Sequence, residues 1–259
     1  MQQTNNSTAS PGGRLNSMDE LRGFAVLFMI TYHALYTLSY LYGLEWARAA
    51  FERLNPLQPF GAALFIVIAG VSSNLSHSNR DRGLRLVPFA LLISLVTAFV
   101  TPSAMIWFGI LHFLAVCMIL FGLLQAHWQS VRFSWFWVAL CVVLYFFTKT
   151  IPWGYLGFGP VAVLPLPNVL YAQEWLFPLG FYGPDFASAD YFPLLPWVFL
   201  FLVGAFLGKP VAQGHAPAWL YPSRLPFLSW IGKRALLLYL LHQPLIYAVA
   251  WALRQMGVI

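Results

Sequence analysis

Seven runs of mostly apolar residues, at about 22–43, 58–76, 85–103, 105–126, 133–150, 191–208 and 233–254, are each long enough to cross a lipid bilayer, which takes about 20 such residues. Hydrocarbon offers the backbone no partner, so a spanning segment must close its hydrogen bonds internally, and runs of this length do so as helices. The sequence therefore predicts an all-α fold, a polytopic membrane helix bundle of about seven transmembrane helices. Only 8% of the residues are charged, against about 25% in soluble domains. No water-soluble fold of this size hides that much apolar surface.

Residues 1–20 read as a polar N-terminal tail and 21–259 as a single transmembrane bundle. The first apolar run has no A-x-A-like cleavage site after it, which predicts a retained helix and not a removed signal peptide. Residues 151–190 are apolar and aromatic but interrupted by Pro152, Pro160, Pro165, Pro167, Pro178 and Pro184. Each proline removes a helix hydrogen bond, so this stretch is expected to be an irregular outer-side segment, with a short helix near 168–177. Gly204 and Gly208 form a G-x-x-x-G pair and Ala69 with Ser73 a similar one, spacings at which two backbones approach closely.

The net charge of +6 would suggest nucleic acid in a soluble protein, but here the basic residues sit in short connections, and topology explains them without nucleic acid. With the N-terminus cytoplasmic, Arg14, Arg22, Arg80, Arg82, Arg85, Arg132, Lys209, Arg224, Lys233 and Arg234 fall on the inner side, ten of the fourteen. Arg48, Arg53, Lys149 and Arg254 fall outside. The positive-inside rule thus favours an N-inside orientation. Cys117 and Cys141 lie in apolar runs and form neither a disulfide framework nor a metal pattern, and no metal is expected.

Ionisable groups inside a bilayer are costly and mark functional sites by default. Histidine enters most cheaply because its neutral form is accessible. His33, His112 and His242 all fall within apolar runs, roughly 13–21 Å from the cytoplasmic ends of their helices at 1.5 Å per residue. In the first helix, Asp19, Arg22, Met29, His33 and Tyr36 share one stripe, because eleven residues return to nearly the same helix face. Lipid has no partner for such a stripe, so it must face the bundle interior or a wet cavity. The plainer alternatives are an interfacial Asp19–Arg22 ion pair and satisfied core histidines. Pro244, two residues after His242, frees a carbonyl near Leu240 that a polar neighbour or substrate can engage. Asp190 precedes the sixth run, where it reads either as that helix's N-cap or as a group turned into the bundle mouth. The chain has no P-loop, no H-E-x-x-H and no G-x-S-x-G. Soluble-type nucleotide chemistry is not encoded.

The run Arg14-Leu15-Asn16-Ser17-Met18-Asp19-Glu20-Leu21-Arg22-Gly23-Phe24-Ala25, with Met29 and His33, resembles the opening of the heparan-alpha-glucosaminide N-acetyltransferase catalytic-domain family. Four later blocks add to the likeness: Phe65 to Gly70 with Ser72, Phe108-Gly109-Ile110-Leu111-His112, Asp190 to Trp197, and Trp230-Ile231-Gly232-Lys233-Arg234 leading to Tyr239-Leu240-Leu241-His242-Gln243-Pro244. The resemblance implies a transmembrane acyltransferase that moves an acetyl or other acyl group from cytoplasmic acyl-CoA to an amino-sugar or glycan acceptor, on nitrogen or oxygen, across or within the membrane. It implies His33, His112 and His242 as catalytic residues; Asp19, Arg22, Arg80, Arg82 and Arg85 toward the acetyl-CoA donor; and Tyr36, Asp190 and Gln243 on the acceptor side. In the animal lysosomal enzyme that names the family the catalytic histidine lies in a lumenal loop, whereas residues 44–56 here contain no histidine. The position matching His33 is an asparagine there, so the base or acyl-carrier role of His33 is this sequence's own hypothesis and is not carried over from that enzyme. The bacterial inner (plasma) membrane is the expected location, and an oligomer is compatible with the sequence. Two other classes fit less of the pattern: a transporter or flippase without covalent chemistry, and a b-type haem membrane protein.

Overall fold

The computed structural model describes residues 14–259, so the first thirteen positions of the expected N-terminal tail lie outside the described residues. The helices in chain order are α1 (Asn16–Tyr40), α2 (Glu45–Leu54), α3 (Gln58–Asn74), α4 (Asn79–Val100), α5 (Ile110–Leu123), α6 (Gln125–Ser130), α7 (Trp135–Thr148), α8 (Leu194–Ala212), α9 (Pro226–Lys233) and α10 (Ala235–Gln255). A small antiparallel hairpin, β1 (Tyr155–Phe158) and β2 (Val161–Pro165), lies between α7 and α8. Among the described residues six stretches are long and apolar enough to cross a membrane: Asn16–Tyr40, Glu45–Asn74, Asn79–Val100, Trp135–Trp153, Leu194–Ala212 and Ala235–Gln255. Large apolar side chains such as Phe60, Leu95, Phe99 and Trp251 stand exposed on them, an arrangement that suits lipid and not water. The protein is a helical membrane bundle.

Each predicted run contains one long helix, but the fourth is shorter than its apolar run. At 14 residues, α5 is about 21 Å long against a hydrocarbon core of about 30 Å. Gly109, with φ −80° and ψ −177°, is extended and ends the helix there. The residues before it run beside a second extended segment: the Phe192 amide donates to the Phe108 carbonyl at 2.9 Å, and Phe108 bridges Tyr191 in parallel.

The packing groups the chain into two compact units, Met1–Ile68 with Gly214–Ile259, and Ala69–Gln213. In the first, α1 packs on α9, α10 and α2. The contact of α1 with α9 is made backbone to backbone. A Cβ at Gly23 would meet the Leu228 carbonyl and the Gly232 amide, and one at Gly232 would meet the Asp19 carbonyl and the Gly23 amide. Side chains then fasten the start of α1 to the residues before α9. Asn16 Nδ2 donates to the Tyr221 carbonyl at 2.9 Å and Ser17 Oγ to the Trp219 carbonyl at 3.1 Å.

Glu20 completes this joint. Its Oε1 accepts from Ser223 Oγ at 3.0 Å, the Arg224 amide at 2.7 Å and the Leu225 amide at 2.8 Å. Leu225 is the N-cap of α9, so this carboxylate also faces the positive end of that helix. Glu20→Ala leaves the Arg224 and Leu225 amides without their charged acceptor and is expected to destabilise the protein by about 1.5–3 kcal/mol, the weight of hydrogen bonds to a charged group. Thermal unfolding in detergent checks it, with Glu20→Gln expected to lose less because its amide oxygen still accepts.

In the second unit α4 packs on α5 and α7 on α8. The G-x-x-x-G pair does form a close contact: a Cβ at Gly208 would meet Val71 and Asn74, and one at Gly70 would meet Phe201, Gly204 and Ala205. Asn74 Nδ2 secures the crossing by donating to the Ala205 carbonyl at 2.7 Å.

Residues 151–190 are irregular, as their prolines require, with short 3-10 turns at Asn168–Leu170 and Glu174–Leu179 where a short helix is expected. The hairpin within them is unanticipated. Its turn pairs Phe158 with Val161 across Gly159 and Pro160, and Gly159 takes φ +54°, a conformation glycine reaches without a Cβ clash. Thr150 Oγ1 donates to the Tyr155 carbonyl at 2.8 Å, and the Tyr171 hydroxyl donates to the Ile151 carbonyl, so the segment is held through its own polar groups.

Candidate functional site

The imidazoles of His33, on α1, and His242, on α10, lie 5.1 Å apart between ring centroids with planes tilted by 52°. This pairing follows from the Gly23–Gly232 contact one step earlier in the chain. Because α9 touches α1 at backbone distance and α10 begins two residues after α9 ends, the first turns of α10 are delivered to the middle of α1. Both rings are half-buried.

The hydrogen bonds fix what each ring can do. His242 Nδ1 lies 2.5 Å from the Tyr239 carbonyl oxygen. A carbonyl only accepts, so Nδ1 carries the proton and the basic lone pair of the neutral ring is on Nε2. Among the described residues neither nitrogen of His33 has a hydrogen-bond partner; its ring meets the edges of Tyr32, at 5.6 Å, and His242. Gln243, beside His242, has its side-chain oxygen buried without a partner.

From His33 a run of aromatic rings leads along α1 and α2. Tyr32 meets Phe51 at 5.0 Å, Phe51 meets Tyr36 at 5.7 Å and Tyr40 at 5.5 Å, and Arg48 lies 5.9 Å from the Tyr40 ring centre. Tyr36 is 40% exposed and Tyr40 53%. The Tyr32 hydroxyl donates to Asn55 Oδ1 at 2.9 Å, which fixes its ring.

At the other end of the stripe Asp19 is buried and receives two arginines, Arg14 Nε at 2.8 Å and Arg22 Nη1 at 3.0 Å. The ion pair expected of Asp19 and Arg22 is present, with Arg14 added to it. The stripe therefore runs from Asp19 and Arg22 through Gly23 and Val26 to His33 and the fully buried Thr37, whose hydroxyl oxygen lacks a partner. Tyr36 turns toward the surface.

His112 and Asp190 belong to the second unit and form a different constellation. The Gly109 amide donates to His112 Nδ1 at 3.3 Å, so the proton is on Nε2, which donates to Ser94 Oγ at 3.2 Å. Ser94 Oγ in turn donates to the Ile106 carbonyl at 2.6 Å. Both nitrogens of His112 are thus occupied in holding the start of α5. Asp190 Oδ2 accepts from the Ile110 amide at 3.0 Å. It caps a helix, but α5 and not the α8 that follows it, whose N-cap is Pro193. Sequence spacing points to the adjacent helix; only the parallel pairing of Phe108 with Tyr191 brings the carboxylate to α5.

Arg80, Arg82 and Arg85 open α4 in the second unit, with Arg80 and Arg85 exposed and Arg82 half-buried. Among the described residues no carboxylate pairs with any of them.

The family model described as heparan-alpha-glucosaminide N-acetyltransferase, catalytic, matches residues 14–244. The chain belongs to this family. The match runs from Arg14 to Pro244 and so includes the Asp19–Arg22 pair, the α1–α9 crossing and both imidazoles of the His33–His242 pair. Membership and the apolar helices make the protein an integral membrane protein of an acetyltransferase family, in which acetyl-CoA is the general donor. No curated protein and no solved structure matches the chain.

Proposed function

We propose that the protein transfers an acetyl or other acyl group from acyl-CoA at the cytoplasmic face of a bacterial inner membrane to the amine or hydroxyl of an amino-sugar or glycan acceptor. The observation that carries this reading is the His33–His242 pair, two imidazoles at 5.1 Å on facing helices. His33 has both nitrogens free of hydrogen bonds among the described residues and serves as general base. His242, its tautomer fixed by the Tyr239 carbonyl, lies against the base as the ring that orients it, the base-and-orienter logic of activated nucleophiles.

The chemistry balances with these groups alone. The acceptor nitrogen or oxygen attacks the thioester carbonyl as His33 takes its proton, the carbon–sulfur bond breaks, and the proton passes to the departing thiolate. The products are an amide or ester and free coenzyme A. The exposed Arg80 and Arg85 with Arg82, unpaired with carboxylates, suit the phosphates of the donor. They lie on the inner side in the N-inside orientation that the basic residues favour. Asp19 holds the guanidinium of Arg22 in place. The exposed rings of Tyr36 and Tyr40 offer apolar faces to an acceptor sugar, with Gln243 on the same side of the reaction. His112 and Asp190 are assigned to holding α5, since their polar atoms are engaged there.

The test is purified protein incubated with radiolabelled acetyl-CoA and a panel of amino sugars, following both free thiol and labelled acceptor. Acceptor-dependent thiol release is the expected result. A folded preparation that turns over no thioester with any amine or hydroxyl acceptor overturns the reading.

A further inference from the structure

A cleft lies wholly within the unit Ala69–Gln213, between the ends of α3 and α8 and the short α6, with a volume of about 220 Å³. Its floor holds Lys209, only 7% exposed. Lysine is almost never buried so deeply without a partner of opposite charge. Here Nζ donates to the Trp128 carbonyl at 2.6 Å and lies 4.7 Å from the centre of the Trp128 ring. That accounts for one of its three donors. Among the described residues no carboxylate pairs with Lys209, and none lines the cleft.

The rest of the cleft is built around this cation. Trp128 Nε1 donates to Asn74 Oδ1 at 2.9 Å, and Asn74 is itself tied to α8 through Ala205. The indole under the ammonium is therefore fixed. Ser73 Oγ is committed to the Ala69 carbonyl. His77, Gln129 and Gln213 are exposed, and their side chains make no hydrogen bond among the described residues. The cleft thus offers one buried positive charge, unspent donors around it and no negative side chain, in a space that holds a tetrahedral anion and a small attached group.

We propose that this cleft binds a phosphate group, with Lys209 as its counter-charge and His77, Gln129 and Gln213 as neutral donors. Burying an ammonium costs several kcal/mol unless an anion offsets it, and a phosphate supplies both the charge and the acceptors that the remaining Lys209 donors require. A free phosphate ester and the headgroup of an anionic lipid present the same chemistry. The proposal is independent of the acyl-transfer reading, since it concerns binding and uses none of the residues assigned to that reaction.

Full-length protein is reconstituted in phosphatidylcholine nanodiscs and titrated with inorganic pyrophosphate, and in parallel in nanodiscs of increasing phosphatidate content. Thermal stability and tryptophan emission are followed in both. A saturable rise in unfolding temperature with pyrophosphate assigns a free phosphate ester, and one seen only with phosphatidate assigns a lipid headgroup. Either shift is expected to lose at least about tenfold in apparent affinity in Lys209→Gln, the weight of one charge-assisted hydrogen bond. Gln213→Leu, at the exposed rim, gives the same direction with a smaller loss and keeps the test decisive where Lys209→Gln fails to fold. Absence of a saturable shift with both probes, or an unchanged affinity in both variants, overturns the proposal.

Discussion

His33→Ala lowers acceptor-dependent acyl transfer by about 10²–10⁴-fold, the usual weight of a positioned general base, while leaving the unfolding temperature close to that of the parent protein. The two expectations belong together. His33 has no hydrogen bond among the described residues and lies half-buried, so its removal opens space beside Tyr32 and His242 without stranding a polar partner. His242→Ala is expected to give a loss of the same order, since it removes the ring that lies against His33. It also removes the ring's hydrogen bond to the Tyr239 carbonyl. Residues that act as one unit are strongly non-additive, so the double variant is expected to be no worse than the poorer single one. Single-turnover rates with acetyl-CoA and the best acceptor measure all three. Rates that multiply in the double variant mean that the rings work separately, and an unaffected rate in His33→Ala removes the base from this helix altogether. His112→Ala is the contrast: its ring holds Gly109 and Ser94, so the loss appears as lower thermal stability, about 0.5–2 kcal/mol for a helix cap.

What the residue order made legible was set by the bilayer. A span must be long and apolar, and that demand leaves a mark in one dimension, so six of the seven runs coincide with stretches long enough to span, and the run at 105–126 holds the shorter α5. The positions of His33 and His242 in those runs were legible for the same reason, because an imidazole among leucines and valines stands out. Their pairing was not, since it depends on α9, an eight-residue helix too short to carry a clear period and hidden in front of the last run. The hydrogen bonds of His112 were equally invisible. Its role is set by two hydrogen bonds whose partners include a hydroxyl 18 residues away on α4. Glu20 was passed over for Asp19 and Arg22, because its acceptor work is done on backbone amides some 205 residues distant, and no side-chain pattern announces an amide. Asp190 reads from the sequence as a cap of the helix that follows it or as a group in the bundle mouth; its carboxylate instead accepts from the Ile110 amide of α5, a helix that only a non-local extended pairing could reveal.

Gly23→Val, or Gly232→Val, is expected to cost at or above the upper end of the about 1–3 kcal/mol typical of overpacked cores, and to remove activity along with stability. The G-x-x-x-G pair of α8 announces its contact because both glycines lie on one helix; the α1–α9 crossing takes one glycine from each partner, and neither looks special alone. The clash at either position is with backbone: the Leu228 carbonyl and Gly232 amide on one side, the Asp19 carbonyl and Gly23 amide on the other. A flexible side chain can swing aside, but a carbonyl moves only if its helix does. Displacing α9 from α1 also draws Arg224 and Leu225 away from Glu20 and shifts α10, which starts at Ala235 and carries His242. The same substitution therefore reaches the imidazole pair through the backbone. Gly208→Val is the matched control, because it crowds Val71 and Asn74 in the other unit. Comparable loss of stability is expected there, with the residual activity per folded molecule higher than in the Gly23 and Gly232 variants. Unfolding temperature and turnover normalised to folded protein separate the two effects. Equal specific activity in the folded fractions of all three variants means that the α1–α9 crossing supports the fold without setting the distance between His33 and His242.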